Sequence, residues 1–279
     1  MRAPDSDFGY NQPMPSILLT SPRTTPDATR MAAAATRAGQ PAQQLTSFRP
    51  PDTLNGQQIA IYGESLFAII VSTKLDHALL EPTPDWLAGL PQNARRRDVF
   101  NTSFAEARQL TSPHFIKGAQ AIKGFDARVY PSGADLPADH YPDDYPVIVS
   151  EVVSWAVEYR FFVLDRKIAT GSVYFRDGAL AQNPDGSWID NTGERETAKT
   201  YLTQVLAKDY MPLPAACVVD VGYIYKRGWA IVEANPAYGA GLYDCSADAA
   251  LDVINRATVP RDQLTDADRP WVTDYEVED

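Results

Sequence analysis

The chain has 279 residues, 44% of them hydrophobic and 22% charged, with a net charge of -11. That length buries a sizeable core in one large domain or two to three smaller ones, and the acidic balance excludes a general nucleic-acid binder, which gains its affinity by releasing counterions from phosphates. Two cysteines and three histidines make neither a disulfide framework nor a Cys/His metal spacing, no apolar run reaches membrane-spanning length, and the default expectation is a soluble cytoplasmic protein.

The N-terminal "MRAPDSDFGYNQPMP" has no signal-peptide core and reads as a flexible, Pro-rich tail over residues 1–14. "SILLTSP", stopped by Pro22, is a buried strand. "TPDATRMAAAATRAG" is a helix, with Thr25 or Asp27 as cap and Gly39 as stop. A loop that hides a short strand follows, then the strand "QQIAIYGES" and a helical pattern over "SLFAIIVSTKLDHALL". This strand–helix–strand–helix order predicts a small parallel α/β layer, an N-terminal domain over 15–110, without the G-x-G-x-x-G of a dinucleotide site. Near its end, Arg95, Arg96 and Arg97 read most simply as a solvated face and, more sharply, as an anion contact. A helix is expected near Ser103 to Leu110.

From residue 111 to 260 the texture is strand-rich α+β. "DYPVIVSEVVSWAVEYRFFVLDRKIATGSVYFRDG" is a succession of strands with turns near Ser154 and at Asp165-Arg166. The turn-rich stretch from Arg176 to Glu196 reads as a mobile loop and candidate lid, and an amphipathic helix follows it. "AACVVDVGYIYKRGWAIVEANP" is an antiparallel hairpin turning at Lys226-Arg227-Gly228, and "SADAALDVINRAT" is the closing helix. The acidic tail, 261–279, reads as loosely held.

Within the strand-rich half, residues suited to a nucleotide occur in order. Lys117 ends the strand "FIKG", and Lys123 follows after a loop. The strand "YPVIVSEVV" ends at Glu151, Val152 and Val153, a segment whose backbone groups can meet an adenine edge. Glu158 can accept from ribose hydroxyls, and Arg160 shares its strand face. Asp220, Glu233 and Asn235 lie on the two strands of the hairpin and supply the oxygen ligands Mg2+ demands, while Lys117, Lys123 and Arg160 supply charge to offset a triphosphate. Taken singly, each has an ordinary reading: a solvated strand-end lysine, a surface Glu158–Arg160 pair, a turn-forming Asp220.

Taken together, "FIKGAQAIKGFDARVYPSG", "SEVV", "EYRFFV" and "DVGYIYKRGWAIVEANPAYGAGLYDC" resemble the ATP-grasp superfamily, and within it the divergent clade that includes the eukaryotic assembly factor for translation initiation factor two. The resemblance covers roughly Ile59 to Ala257. It implies an ATP-grasp fold behind an N-terminal parallel α/β domain, with ATP and Mg2+ as cofactors. It implies that Lys117 contacts the α-phosphate, that Lys123 sits near the phosphates or adenine, and that Glu151, Val152 and Val153 hold adenine. It further implies that Glu158 holds the ribose, that Arg160 faces the γ-phosphate or an acyl phosphate, and that Asp220, Glu233 and Asn235 ligate magnesium. Gly118 stands where relatives often carry proline, a departure that loosens the strand end. The activity implied is carboxylate–amine ligation through an acyl phosphate on a small-molecule, peptide or protein substrate. The alternative is an ATP-binding assembly factor without ligation. Neither reading implies a nucleic-acid or membrane partner.

Overall fold

The computed structural model describes residues 17–119, 124–137 and 141–275. Lys123 and the expected tail over 1–14 lie outside the described residues.

The chain opens with strand β1 (Ile17–Thr20), helix α1 (Pro26–Arg37), β2 (Ala42–Gln44), β3 (Ile59–Tyr62), α2 (Ser65–Lys74) and β4 (His77–Leu79). Thr25 caps α1, its hydroxyl accepting from the Ala28 N–H at 3.1 Å. The strands pair in parallel in the order β2-β1-β3. A parallel sheet is covered on both faces, and β1 shows why its sequence is continuously apolar: Leu18 packs with Met31 and Ala34 of α1, while Leu19 packs with Phe67 and Val71 of α2. The helix expected to reach Leu80 stops at Lys74. Asp76 there takes a left-handed backbone (φ 56°), and the apolar residues after it form β4.

Next come two short helices, α3 (Trp86–Gly89) and α4 (Gln92–Arg95), then β5 (Val99–Ser103) and the one-turn helix α5 (Phe104–Ala107), closed by a Ser103–Glu106 capping box. Strands β6 (His114–Gly118), β7 (Arg128–Tyr130) and β8 (Pro146–Ser150) follow. With β5 they form an antiparallel sheet in the order β5-β8-β6-β7.

The remaining elements are β9 (Trp155–Leu164), β10 (Lys167–Arg176), β11 (Ala179–Leu180), α6 (Thr192–Leu206), β12 (Ala216–Ile224), β13 (Gly228–Asn235), α7 (Ala247–Arg256) and β14 (Thr258–Pro260). A five-stranded antiparallel sheet runs β11-β10-β9-β12-β13. The turn between β9 and β10 is the expected Asp165-Arg166, both with positive φ, the geometry whose twist suits a two-residue hairpin. At Gly171 a Cβ would lie 2.2 Å from the Phe161 ring across the strand pair, so this site admits glycine alone.

The two faces of the five-stranded sheet have different fates. Tyr159, Phe161, Val219 and Val221 pack with Ala198 and Leu202 of α6. On the other face Phe162 and Val218 pack with Leu251 and Ile254 of α7. Further along that second face the same alternation brings up Glu158, Arg160 and Asp220.

Two expectations change. The segment from Arg176 to Glu196 is an ordered hairpin followed, from Thr192, by the first turn of α6, rather than a mobile loop. Asn183 N–H donates to the Ser187 carbonyl at 2.8 Å, Ile189 N–H donates to the Ala181 carbonyl at 2.9 Å, and Trp188 packs against the core. Residues 261–275 are not loosely held: Asp268 is buried against Arg256 at 2.5 Å, Val272 bridges Leu80, and the Tyr275 hydroxyl donates to Glu81 at 2.6 Å. An acidic composition concealed one carboxylate whose role is to neutralise a buried guanidinium.

Candidate active site

A cleft of about 690 Å³ opens where the three main sheets meet. The four-stranded sheet contributes Lys117, the five-stranded sheet contributes Arg160, Glu233 and Asn235, and the N-terminal layer contributes Ser65 and Glu81.

The cleft's charged floor is built from strand register. In the β12–β13 pair, Val218 faces Asn235 and Asp220 faces Glu233, but Val221 faces Ile231. Val232 is therefore an extra residue, a β-bulge. Before it, Trp229 and Ile231 point to the α6 side of the sheet; after it, Glu233 and Asn235 point to the cleft. The expectation that these two polar residues share a face holds, and the bulge chooses which face.

Arg160 and Asp220 form a bidentate pair, Nε to Oδ1 at 3.0 Å and Nη2 to Oδ2 at 2.8 Å. Nη1 reaches the Gly241 carbonyl at 3.3 Å. Asp220 is 0% exposed. Burial raises its carboxyl from its ordinary value, against the pull of Arg160, and burial also works against the Arg160 charge, which Asp220 more than restores. Tyr174 and Tyr243 stack on each other, 5.1 Å between centroids, and the Arg160 guanidinium lies 5.3 Å and 5.0 Å from their rings.

Lys117 Nζ lies 2.5 Å from Glu233 Oε2. Asn235 Nδ2 donates to Glu233 Oε1 at 2.9 Å and approaches Asp220 Oδ2 at 3.4 Å. Burial pushes the Glu233 carboxyl up, but Lys117, Asn235 and Arg160 outweigh it and hold the group at about 2. These oxygens fit a hard divalent cation: two ionisable carboxylates converge with an amide that can turn its oxygen inward. Among the described residues no three His, Cys, Asp or Glu side chains group to hold a metal, so any cation here would need Asn235 and oxygens from outside the chain.

Glu158 sits two residues from Arg160 on the same strand face but pairs with Tyr174, whose hydroxyl donates to Oε2 at 2.7 Å. Burial pushes this carboxyl up to about 7, with the Asp220 and Glu233 charges adding to the rise and the Tyr174 hydrogen bond opposing it. The surface Glu158–Arg160 pair is thus replaced by two separate, inward-facing partnerships.

Glu151, Val152 and Val153 occupy the irregular link between β8 and β9 and are not among the cleft's lining residues. The Glu151 N–H donates to the Asp98 carbonyl at 2.8 Å, and its carboxylate takes Arg227 Nη2 at 2.6 Å and Nη1 at 2.9 Å. The site residues therefore divide. Lys117, Arg160, Asp220, Glu233 and Asn235 form one network, while Glu151 to Val153 stand apart at the hinge. Gly118 lies under Tyr145, whose hydroxyl would be 2.7 Å from an added Cβ. The close approach accounts for a small residue there.

Three neighbours escaped sequence reasoning. Arg97 is 5% exposed, not a solvated cation: it donates to Ser150 Oγ at 3.0 Å and to the Ile231 and Val232 carbonyls at 2.6 and 2.7 Å. Tyr174, itself an extra residue in the β9–β10 register, partners both Glu158 and Arg160. Glu81, a largely buried residue of the cleft wall, accepts from the Tyr238 and Tyr275 hydroxyls at 2.8 and 2.6 Å. In three adjacent arginines, an aromatic in a strand and a glutamate ending an apolar run, local pattern carries no signal of these roles.

No curated protein matches the chain. Among solved structures, D-alanine–D-alanine ligase from Bacillus anthracis is similar at 10% identity, with 88% of this chain and 96% of that chain covered and a TM-score of 0.50. The D-cycloserine synthetase DcsG matches at 14% identity, covering 86% and 98%, with a TM-score of 0.49. The ATP-grasp ligase PsnB, complexed with minimal precursor, matches at 12% identity, covering 87% and 99%, with a TM-score of 0.47. The model of the family described as ATP-grasp domain, R2K clade family 2, matches residues 95–253, more than half of the chain and the whole stretch that carries the polar network, and the protein belongs to that family.

Proposed function

We propose that the chain is an ATP- and Mg2+-dependent carboxylate–amine ligase that forms an amide through an acyl phosphate. One observation carries the reading: Lys117, Arg160, Glu233 and Asn235 line a single cleft, with Asp220 buried beneath them and bound to Arg160. In this reading a substrate carboxylate oxygen attacks the γ-phosphorus of ATP and ADP leaves. An amine nitrogen then attacks the acyl carbon, phosphate leaves, and the nitrogen loses a proton. No side-chain nucleophile is needed, which suits a chain whose two cysteines are buried.

The chain's residues position and neutralise. Lys117 offsets charge on Glu233 and is placed to exchange that carboxylate for a phosphate oxygen. Arg160, held by Asp220 and by the Tyr174–Tyr243 stack, keeps a fixed positive charge at the transferring phosphoryl group. Asp220, Glu233 and Asn235 would hold Mg2+, which would neutralise phosphate charge and polarise the transferred group. The Val152 and Val153 backbone would meet the adenine edge, Glu158 the ribose, and Lys123 the phosphates. Glu151, already bound to Arg227, would set the angle of that hinge. The hairpin carrying Trp188, whose ring meets Tyr243 edge-on at 5.5 Å, would shield the acyl phosphate from water. The same reading keeps 15–110 as the substrate-shaping domain and 111–260 as the nucleotide-binding domain. It places the protein in the cytoplasm, where buried free thiols stay reduced. Among the described residues no helix is long and apolar enough to cross a membrane.

The test is release of ADP and phosphate with pooled carboxylates and amines. Release that needs both supports ligation; Mg2+-dependent ATP binding with no turnover on any pool favours the assembly-factor alternative. Glu233→Gln and Asn235→Ala are each expected to abolish turnover with the fold intact by circular dichroism. Normal turnover in both would remove the metal assignment.

A further inference from the structure

The bulge at Val232 needs a cause. Strand β13 is the outer strand of its sheet, so the carbonyls on its free edge have no strand partner. In a regular strand successive carbonyls point to opposite edges. Ile231 and Val232 are adjacent, yet both carbonyls receive hydrogen bonds from one guanidinium, that of Arg97, at 2.6 and 2.7 Å. Only the bulge turns both toward the same side, and only a planar fork of donors can hold two acceptors so placed. Arg97 is itself anchored from behind. Its Nε donates to Ser150 Oγ at the end of β8, Nη1 also reaches the Arg95 carbonyl at 3.1 Å, and the guanidinium lies 5.0 Å from the Trp155 ring centroid.

We propose that Arg97 is a positioning residue: by clamping the Ile231 and Val232 carbonyls it holds the β13 bulge, and the bulge aims Glu233 and Asn235 into the cleft. Strand parity supplies the reason. A one-residue slip moves every later side chain to the opposite face. Ile231 lies in the core with Val219 and Val221, and Glu233, two residues later, would follow it there without the extra residue. The clamp also couples two ends of the site, because Ser150 leads directly into the Glu151–Val153 hinge. Burial lowers the Arg97 pKa to about 10, with the Glu233 and Glu158 charges opposing the fall, so the clamp stays charged at neutral pH. The consequence for metal binding rests on the ligase reading; the aiming of β13 does not.

The experiment compares wild type, Arg97→Met, Arg97→Lys and Asn235→Ala by two readouts. One is backbone deuterium exchange in the ligand-free protein. The other is Mn2+ affinity in the presence of ATP, followed by the paramagnetic signal of free Mn2+. Arg97→Met is expected to speed exchange at 231–235 while β9 and β12 stay protected, and to weaken Mn2+ binding about 10- to 100-fold, the usual effect of removing a group that orients a metal ligand. Arg97→Lys, which keeps the charge and loses the fork, should give the same pattern at smaller amplitude, and it substitutes for the methionine variant if that fails to fold. Asn235→Ala should weaken Mn2+ binding with exchange unchanged. Wild-type exchange at 231–235 in a folded Arg97 variant overturns the clamp, and faster exchange with unchanged Mn2+ affinity overturns the aiming of the ligands. Faster exchange in a protein whose wild type binds no Mn2+–ATP upholds the clamp and refutes the ligase reading instead.

Discussion

Two arginine–carboxylate pairs in this protein are both bidentate and have opposite surroundings. Arg160 grips Asp220 through two nitrogens on the cleft floor, where the side chains are 9% and 0% exposed. Arg227 grips Glu151 through two nitrogens at the hinge, with 43% and 34% exposed. The buried pair holds charges that water cannot rescue, so losing one partner strands the other. The hinge pair competes with water and salt for the same bonds. Geometry alone therefore does not rank them; solvent access does.

The largest expected effect breaks the buried pair. Arg160→Met leaves Asp220 uncompensated and should destabilise the protein by about 3–5 kcal/mol in chemical denaturation. Adding Asp220→Leu should recover most of that loss while turnover stays absent, because the pair's contribution to the fold can be replaced by packing and its contribution to the cleft cannot. If the single variant is as stable as wild type, the comparison fails.

Lys117→Met lies between the extremes, since this pair is 20% and 26% exposed. It should cost on the order of 1–2 kcal/mol and weaken ATP binding in calorimetry. Glu233 adds a pH signature. Its depressed folded-state value means that its stabilisation is present above about 4.5 and is lost as pH falls toward about 2. Without Lys117 burial dominates, and that acid-side loss should disappear from the stability profile. An unchanged ATP affinity would remove Lys117 from the nucleotide site.

Glu158 carries the reverse sign. Burial raises its folded-state value to about 7 from 4.5, so the unfolded chain ionises first. Its contribution to stability is complete below 4.5 and is lost as pH rises through about 7. Glu158→Gln should therefore gain on wild type across that window, by on the order of 2–3 kcal/mol at its upper end. Parallel stability curves for the two proteins between these pH values would show that burial does not perturb this carboxyl.

The smallest effect sharpens the contrast. Arg227→Ala should leave the melting temperature within measurement scatter at physiological salt, because both partners can turn to water. Its detectable consequence is expected in ATP affinity through a looser hinge, weakest at high ionic strength. A large loss of stability would place this pair with the buried one.

Much of this was legible in the chain itself. The parallel β1–β3 layer followed from apolar runs separated by a capped, Ala-rich helix. The β9–β10 and β12–β13 hairpins followed from alternation and turn residues. The shared face of Glu233 and Asn235 followed from their spacing of two. Other features were concealed. The apolar stretch after Ser65 holds a helix and a strand, and its length alone cannot divide them. Arg96 and Arg97 are identical neighbours, yet one is exposed and one is 5% exposed. The acidic segment after Pro260 hides Asp268, which neutralises Arg256 in the interior.

Local sequence determined which residues could form strands, helices and turns here, and which oxygen and nitrogen donors the protein would have to offer a phosphate or a cation, because periodicity and side-chain chemistry are properties of short stretches. Tertiary structure alone decided which donors meet. Lys117 reaches Glu233 across 116 positions of chain, Arg160 reaches Asp220 across 60, and Arg97 reaches the Val232 carbonyl across 135. A bulge of one residue turns a glutamate from the core to the cleft, and its phase depends on a partner strand and a guanidinium that no short stretch contains.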